Sequence, residues 1–150
     1  MRKALPEHGI CLVCGEKNPH GMRLTWYVEV DGSIFASFTL SEAQQGPPGH
    51  AHGGASAAIL DEAMGAAVWY AGHNVAVVNL NLDYRKPVPL HQPLSCRARM
   101  ELQDGRKIYA SGEIYLPDGE VAVRARGIFV PAPHLFEAHR YRLTPDPERG

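Results

Sequence analysis

The stretch GGASAAILDEAMGAAVWYA, residues 53–71, is almost entirely apolar and has the residue spacing of a helix. Ile59, Ala63 and Ala67 recur every four residues, which places them on one helical face. Gly72, directly after this stretch, is a typical helix stop. A helix so apolar needs cover on most of its sides, and a curved sheet wrapped around it would supply that cover.

Apolar and polar residues alternate with period two on both sides of this helix, as in half-buried strands. Turn signals separate several of these stretches, namely Asp31-Gly32, Asp104-Gly105 and the Pro-Asp-Gly of residues 117–119. The alternation predicts six strands, around residues 24–30, 34–40, 76–85, 94–102, 108–116 and 121–129. The predicted class is therefore α+β, with one long central helix wrapped by a six-stranded antiparallel sheet.

Length and composition restrict the classes of protein that fit. The chain has 150 residues, 45% of them hydrophobic, and a formal net charge of -1. This balance favours one folded domain and disfavours disorder and nucleic-acid binding. No apolar run is long enough for a membrane span, and the first residues lack the apolar core of a signal peptide, so we expect a cytoplasmic protein.

We expect the chain to divide into three parts. These are an N-terminal Cys-x-x-Cys loop segment (residues 1–22), a folded domain (residues 23–131) and a Pro-rich tail (residues 132–150).

The chain contains three cysteines, Cys11, Cys14 and Cys96, and the first two form a Cys-x-x-Cys motif. A zinc site would need two more ligands, and His8 and His20 are near enough in sequence to be candidates. However, a second well-spaced ligand pair is missing from the sequence. We therefore expect the two cysteines to pack or cap an N-terminal loop, with zinc binding as the alternative.

The segment GPPGHAHGG, residues 46–54, lies immediately before the helix and has the features of a catalytic loop. The first N–H groups of a helix have no internal acceptor and can donate to a carbonyl that is becoming an oxyanion. Asp61 and Glu62 are the only acids within the helical stretch. A carboxylate among apolar residues is costly unless it reaches water, a partner or a substrate. Asp61 is therefore a catalytic candidate, with a structural role as the alternative, and we expect Glu62 to be solvated or structural.

The sequence His52-Gly53-Gly54, with Asp61 nine positions after the histidine, resembles the hotdog-fold acyl-CoA thioesterases. Within them it is most similar to the PaaI-type branch, whose pattern is HGG followed by an aspartate at this spacing. Three further segments support the resemblance, which covers about residues 11–130: residues 11–21, 45–49 and 81–87.

The resemblance implies a thioester hydrolase that releases a free acid and CoA. The Gly53 amide would polarise the thioester carbonyl, and Asp61 would act across a dimer interface as general base or nucleophile. His52 would orient the loop or the thioester. The residues expected to contact substrate or CoA are Gly54, Asn79, Arg85 and Lys86. For Arg85 and Lys86 the alternative is ordinary solvation at the end of a strand. For Asn79 it is a hydrogen bond at a subunit interface.

No cofactor or metal is required for this hydrolysis, and we expect a homodimer or a dimer of dimers that binds neither nucleic acid nor membrane. Two other functions stay open. One is a hotdog hydratase or dehydratase that pairs His50 or His52 with an acid of the helix. The other is a non-catalytic dimer that binds acyl-CoA, or an adaptor with an N-terminal zinc site. The sequence leaves aryl, short-chain and medium-chain acyl groups open.

Overall fold

A computed structural model describes residues 2–137, so residues 138–150 of the predicted tail lie outside the described residues. The elements, in chain order, are β1 (Lys3–Ala4), β2 (Tyr27–Val28), β3 (Ile34–Phe38), a short 3-10 helix (Glu42–Gln44), α1 (Gly53–Tyr70), β4 (Val75–Tyr84), β5 (Leu94–Asp104), β6 (Lys107–Tyr115), β7 (Val121–Pro131) and α2 (His134–Glu137). Neither α-helix in this part of the chain is long and apolar enough to cross a membrane.

All neighbouring strands pair antiparallel in one sheet with the order β1-β2-β3-β5-β6-β7-β4. The predicted fold class is confirmed, but the sheet has seven strands rather than six. The additional strand is β1, in which Lys3 lies opposite Val28. A strand of two residues is too short to display a period of two, so alternation could not reveal it.

Glycines with positive φ form the three predicted turns. The φ angles are +83° at Gly32, +59° at Gly105 and +88° at Gly119, a backbone region that glycine enters without steric cost. These turns connect β2 to β3, β5 to β6 and β6 to β7. The hairpin signals in the sequence are thereby confirmed.

Helix α1 packs on the sheet and forms the centre of the core. Ile59, Leu60 and Met64 are fully buried. At Gly112 of β6 a Cβ would lie 3.2 Å from Leu60 Cδ2, so the helix approaches the sheet closely there. The helix ends at Tyr70, one residue earlier than predicted, and Gly72 follows with a φ of +105°. The central apolar helix is therefore covered by sheet as the sequence indicates.

Candidate active site

Main-chain hydrogen bonds fix the loop that leads into α1. The Gly46 N–H donates to the His50 carbonyl at 3.0 Å, and the His52 N–H donates to the Gln44 carbonyl at 2.7 Å. A Cβ on residue 46 would lie 2.7 Å from the His52 Cα, which is closer than side chains tolerate. Glycine at position 46 therefore lets the loop fold back tightly against the start of the helix.

His52 is the N-cap of α1. Its backbone is extended, with φ -60° and ψ 139°, and its Nδ1 accepts a 2.8 Å hydrogen bond from the Gly54 N–H. This bond satisfies one of the free donors at the helix start and occupies the Gly54 amide. The Gly53 N–H has no hydrogen-bond partner among residues 2–137. Of the two glycines predicted in the site, Gly54 thus has its amide occupied, and within residues 2–137 only Gly53 of the pair offers a free N–H to a ligand.

The start of α1 opens into a groove of about 400 Å³ beside the end of β4. The groove brings Gly53 together with two of the predicted CoA-binding residues, Arg85 and Lys86. The remaining lining residues are Pro47, His50, Ala51, Ser56, Tyr84, Pro87 and Val88. A free amide at the positive end of a helix and two cations thus share one cavity, which suits an anionic or polarised ligand.

The two cations of this groove differ in their partners. Lys86 Nζ forms an ion pair with the Glu120 carboxylate. Arg85 has no carboxylate partner among the described residues. The main-chain N–H groups of both residues donate to the Ala122 carbonyl, at 2.8 Å and 3.0 Å. The backbone of this segment is therefore fixed. Of its two cations, Arg85 is the one whose charge is not paired with a carboxylate among the described residues.

Tyr84 is a site residue that sequence reasoning did not select. Its hydroxyl donates a 2.7 Å hydrogen bond to the Gly53 carbonyl, and its side chain lines the groove. Burial of part of the ring raises the pKa of the phenol, so the hydroxyl stays protonated and able to donate. Tyr84 falls near the end of the strand predicted over residues 76–85, and no local pattern shows that it reaches the helix start.

Asp61 lies halfway along α1 and lines a different pocket, of about 290 Å³. The walls of this pocket are mainly apolar, and among them are Trp26, Trp69 and Phe129. Burial among these walls removes water from the Asp61 carboxyl and raises its pKa. The negative charges of the nearby Glu62 and Cys11 raise this pKa further. The side chain has no hydrogen-bond partner among the described residues, so its carboxylate is available to a ligand or to a second chain.

A single chain does not bring all the predicted site residues together. Asp61 follows Gly53 by eight residues, which is about 12 Å along a helix axis. Asn79 lies on β4 next to a bulge and lines neither the Gly53 groove nor the Asp61 pocket. The amide and the carboxylate of the predicted mechanism therefore belong to separate cavities of one protomer.

Glu62 contacts the Cys-x-x-Cys loop rather than solvent alone. Its Oε1 lies near His8 Nδ1 and the Sγ atoms of Cys11 and Cys14, a set of donors able to hold a metal ion. Hydrogen bonds, first from Cys14 and then from His8, lower the pKa of the Cys11 thiol to about 3. The other histidine considered from the sequence, His20, is not part of this cluster.

Comparisons with known proteins agree with this fold. Residues 48–123 match the Thioesterase superfamily. Acyl-coenzyme A thioesterase THEM4 of Rattus norvegicus is 36% identical over 106 residues, which are 70% of this chain and 46% of that protein. This chain thus spans less than half the length of the curated relatives it matches.

Two crystal structures resemble the chain over most of its length. The thioesterase superfamily protein RHA08564 is 37% identical with a TM-score of 0.79, over 81% of this chain and 60% of that one. The BH2602 protein of Bacillus halodurans, crystallised with CoA, is 25% identical with a TM-score of 0.66, over 74% of this chain and 75% of that one.

Proposed function

We propose that this chain, which belongs to the thioesterase superfamily, hydrolyses an acyl- or aryl-CoA thioester to the free acid and CoA. The observation that carries the proposal is the Gly53 amide, which has no hydrogen-bond partner in the described part of the chain and opens into a groove that also contains Arg85. Such an amide can stabilise charge on a carbonyl oxygen while a cation holds a phosphate. THEM4 is an acyl-coenzyme A thioesterase and BH2602 was crystallised with CoA, and both relatives point to the same substrate class.

The Gly53 N–H would donate to the thioester carbonyl oxygen as that oxygen becomes negative. Attack on the carbonyl carbon gives a tetrahedral oxyanion, and collapse of this intermediate breaks the carbon–sulfur bond. A preorganised donor of this kind contributes about 2.7–4 kcal/mol to transition-state stabilisation. The positive end of the helix dipole acts in the same direction.

Asp61 of the partner subunit would supply the carboxylate, in one of two ways. As general base it takes a proton from water, and that proton passes to the departing CoA thiolate. As nucleophile it attacks the carbonyl carbon itself and forms a mixed anhydride, which water then hydrolyses. Asp61 of the same chain lies about 12 Å along the helix from Gly53, so each version needs a second copy.

The exposed edge of the sheet supports a homodimer. Strand β4 is ten residues long and ends the sheet, with Val77 and Val78 exposed. A long edge strand with apolar side chains is a template for pairing with another strand. Pairing of β4 with its two-fold mate would bring two α1 helices together and create two equivalent sites. A dimer of dimers through the outer face of the sheet remains part of the proposal.

The loop residues define narrower roles. The nine-residue spacing from His52 to Asp61 is the basis for a PaaI-type mechanism. His52 would act as a positioning residue, because its Nδ1 holds the Gly54 amide and thereby fixes the loop. Arg85 would bind CoA phosphate, with Lys86 nearby.

Three free cysteines, Cys11, Cys14 and Cys96, suit a reducing compartment and support a cytoplasmic location.

The test is release of free CoA thiol from a panel of aryl-, short- and medium-chain acyl-CoA substrates. We expect turnover of at least one substrate and an Asp61→Asn protein about 100-fold slower, or about 2.7 kcal/mol in the barrier. Asp104→Asn is the matched control, because this exposed aspartate lies in the β5–β6 hairpin.

Two results would contradict parts of the proposal. Full activity of Asp61→Asn would leave a thioesterase but remove Asp61 from its mechanism. A folded dimer that turns over no thioester would overturn the activity, and loss of water from a 3-hydroxyacyl-CoA would then favour a hydratase. Ligand binding without any turnover would favour an acyl-CoA-binding dimer.

A further inference from the structure

Four metal-ligating atoms from two distant parts of the chain converge beside α1. Glu62 Oε1 lies 3.2 Å from His8 Nδ1, 3.3 Å from Cys14 Sγ and 3.5 Å from Cys11 Sγ. Cys14 Sγ lies 3.5 Å from His8 Nδ1, and all four donor atoms lie within 4.8 Å of one another. Three ligands come from the N-terminal loop and the fourth from the central helix.

These separations fit the edges of a zinc coordination tetrahedron. With Zn–S bonds of about 2.3 Å and Zn–N or Zn–O bonds of about 2.0–2.2 Å, the edges of such a tetrahedron are about 3.3–3.8 Å. The four measured separations, 3.2, 3.3, 3.5 and 3.5 Å, lie in or next to that range. We propose that His8, Cys11, Cys14 and Glu62 bind one zinc ion that fastens the N-terminal segment to α1.

The loop backbone is shaped to present both thiols on one side. The Val13 N–H donates to Cys11 Sγ at 3.4 Å, and the Gly15 N–H donates to the Cys11 carbonyl at 3.0 Å. A Cβ on residue 15 would lie 2.4 Å from the Cys11 nitrogen, so the turn requires glycine at that position. The two-residue gap between Cys11 and Cys14 is the spacing found in structural zinc sites.

The chemistry of the donor set also favours zinc over calcium or magnesium. Thiolate sulfur and imidazole nitrogen are ligands that zinc prefers over calcium or magnesium. Both thiols and the imidazole would lose their protons as the metal binds, and the resulting thiolates and the carboxylate would largely offset the charge of a divalent ion. Cys14 is buried and Cys11, His8 and Glu62 are half-buried, so a bound ion would be largely shielded from water.

The position of the site gives the ion a structural consequence. Leu5, Pro6 and His8 form part of the wall of the pocket that contains Asp61. Val13, beside the cysteines, is buried in the core. Zinc would hold this segment on the helix and keep the pocket wall in place, while the hydrolytic steps proceed through other groups.

The test is the metal content of the full chain, purified in reductant and reconstituted with zinc sulfate. We expect about one zinc per chain in the wild type and near-complete loss in Cys11→Ser and Cys14→Ser. Glu62→Gln should weaken zinc binding about tenfold or more, because it removes a ligand charge without changing side-chain shape. Cys96→Ala and Glu16→Gln are the controls, since neither residue belongs to the cluster, and both should retain zinc.

A cobalt-loaded protein provides a second readout that does not depend on enzyme activity. Tetrahedral cobalt with two thiolate ligands shows strong visible absorption and thiolate-to-metal charge transfer, and Cys11→Ser should lose part of both. Because Cys14 is buried in the core, a variant there could fail to fold, and the Cys11 and Glu62 variants then decide the outcome. The proposal is overturned by a reduced, folded wild type that takes up no zinc. It is equally overturned by a folded Cys11→Ser protein with unchanged affinity, or by a Cys11–Cys14 disulfide that persists in reductant.

Discussion

The Tyr84 hydroxyl donates a 2.7 Å hydrogen bond to the Gly53 carbonyl, which joins the last residue of β4 to the first residue of α1. A Cβ on Gly53 would meet the Tyr84 ring at 3.5 Å, an ordinary contact distance. The Gly53 N–H belongs to the same residue, so Tyr84 anchors the residue whose amide opens into the groove. An edge strand and a helix start are thereby coupled at the candidate site.

Tyr84→Phe should slow hydrolysis without unfolding the protein. The change keeps the ring and removes a hydrogen bond of about 1 kcal/mol, so we expect kcat/KM to fall by about three- to tenfold. Steady-state kinetics with the preferred acyl-CoA would measure the effect. Tyr70→Phe is the control, because Tyr70 is exposed at the far end of α1. Equal kinetics for the Tyr84 variant and the wild type would show that this bond does not position the amide.

Gly53→Pro should remove the oxyanion donor while preserving the helix. Proline is well tolerated at the first helical position, and the His52 ψ of 139° suits a residue that precedes proline. The variant loses the N–H that the mechanism uses and gains ring carbons beside the groove, and we expect kcat to fall by about 100- to 1000-fold. Gly53→Ala retains the N–H and should stay within about threefold of the wild type.

Circular dichroism and thermal unfolding would establish that both Gly53 variants keep the helix. If the proline and alanine proteins were equally active, the Gly53 amide would not be the donor. If both were equally inactive, space at this position rather than the N–H would explain the loss.

Local periodicity was enough to predict most of the fold. The helix repeats every 3.6 residues and the strands every two, and α1, β3, β5, β6 and β7 extend far enough to display those periods. Bulges still interrupt the alternation locally: the register shifts between Val77 and Asn79 of β4, and also between Met100 and Leu102 of β5 and between Ile114 and Tyr115 of β6. In β4 the bulge breaks the alternation, so that the consecutive residues Val77 and Val78 are both exposed.

The candidate site was predictable only where its residues are close in sequence. Gly53, the groove cations and Asp61 follow from one motif and one strand end. The contact between Cys14 and Glu62 spans 48 residues, and pairing at that distance leaves no trace in a single sequence. The Tyr84 bond spans 31 residues and depends equally on how the strand docks against the helix.

His52→Asn should separate a capping role from a proton-transfer role. Asparagine is also a good N-cap acceptor, so the Gly54 N–H would keep a partner and activity should fall by less than about tenfold. His52→Ala removes the acceptor and should lower the free energy of unfolding by about 0.5–2 kcal/mol. Chemical denaturation and kinetics on both proteins would measure these effects. A stable His52→Asn protein about 100-fold slower than the wild type would instead indicate direct proton transfer.

Mixed dimers should show whether Gly53 and Asp61 act across the subunit interface. A dimer with one Gly53→Pro chain and one Asp61→Asn chain would contain one site with both defects and one intact site. Chains with different affinity tags would be refolded together, and the doubly tagged dimer isolated. We expect that dimer to recover about half of the wild-type activity, although each parent protein is nearly inactive. If both residues served a site within one chain, every site of the mixed dimer would carry one defect and activity would not recover. A wild-type chain paired with Asp61→Asn controls for the mixing procedure, and it should also retain about half of the activity.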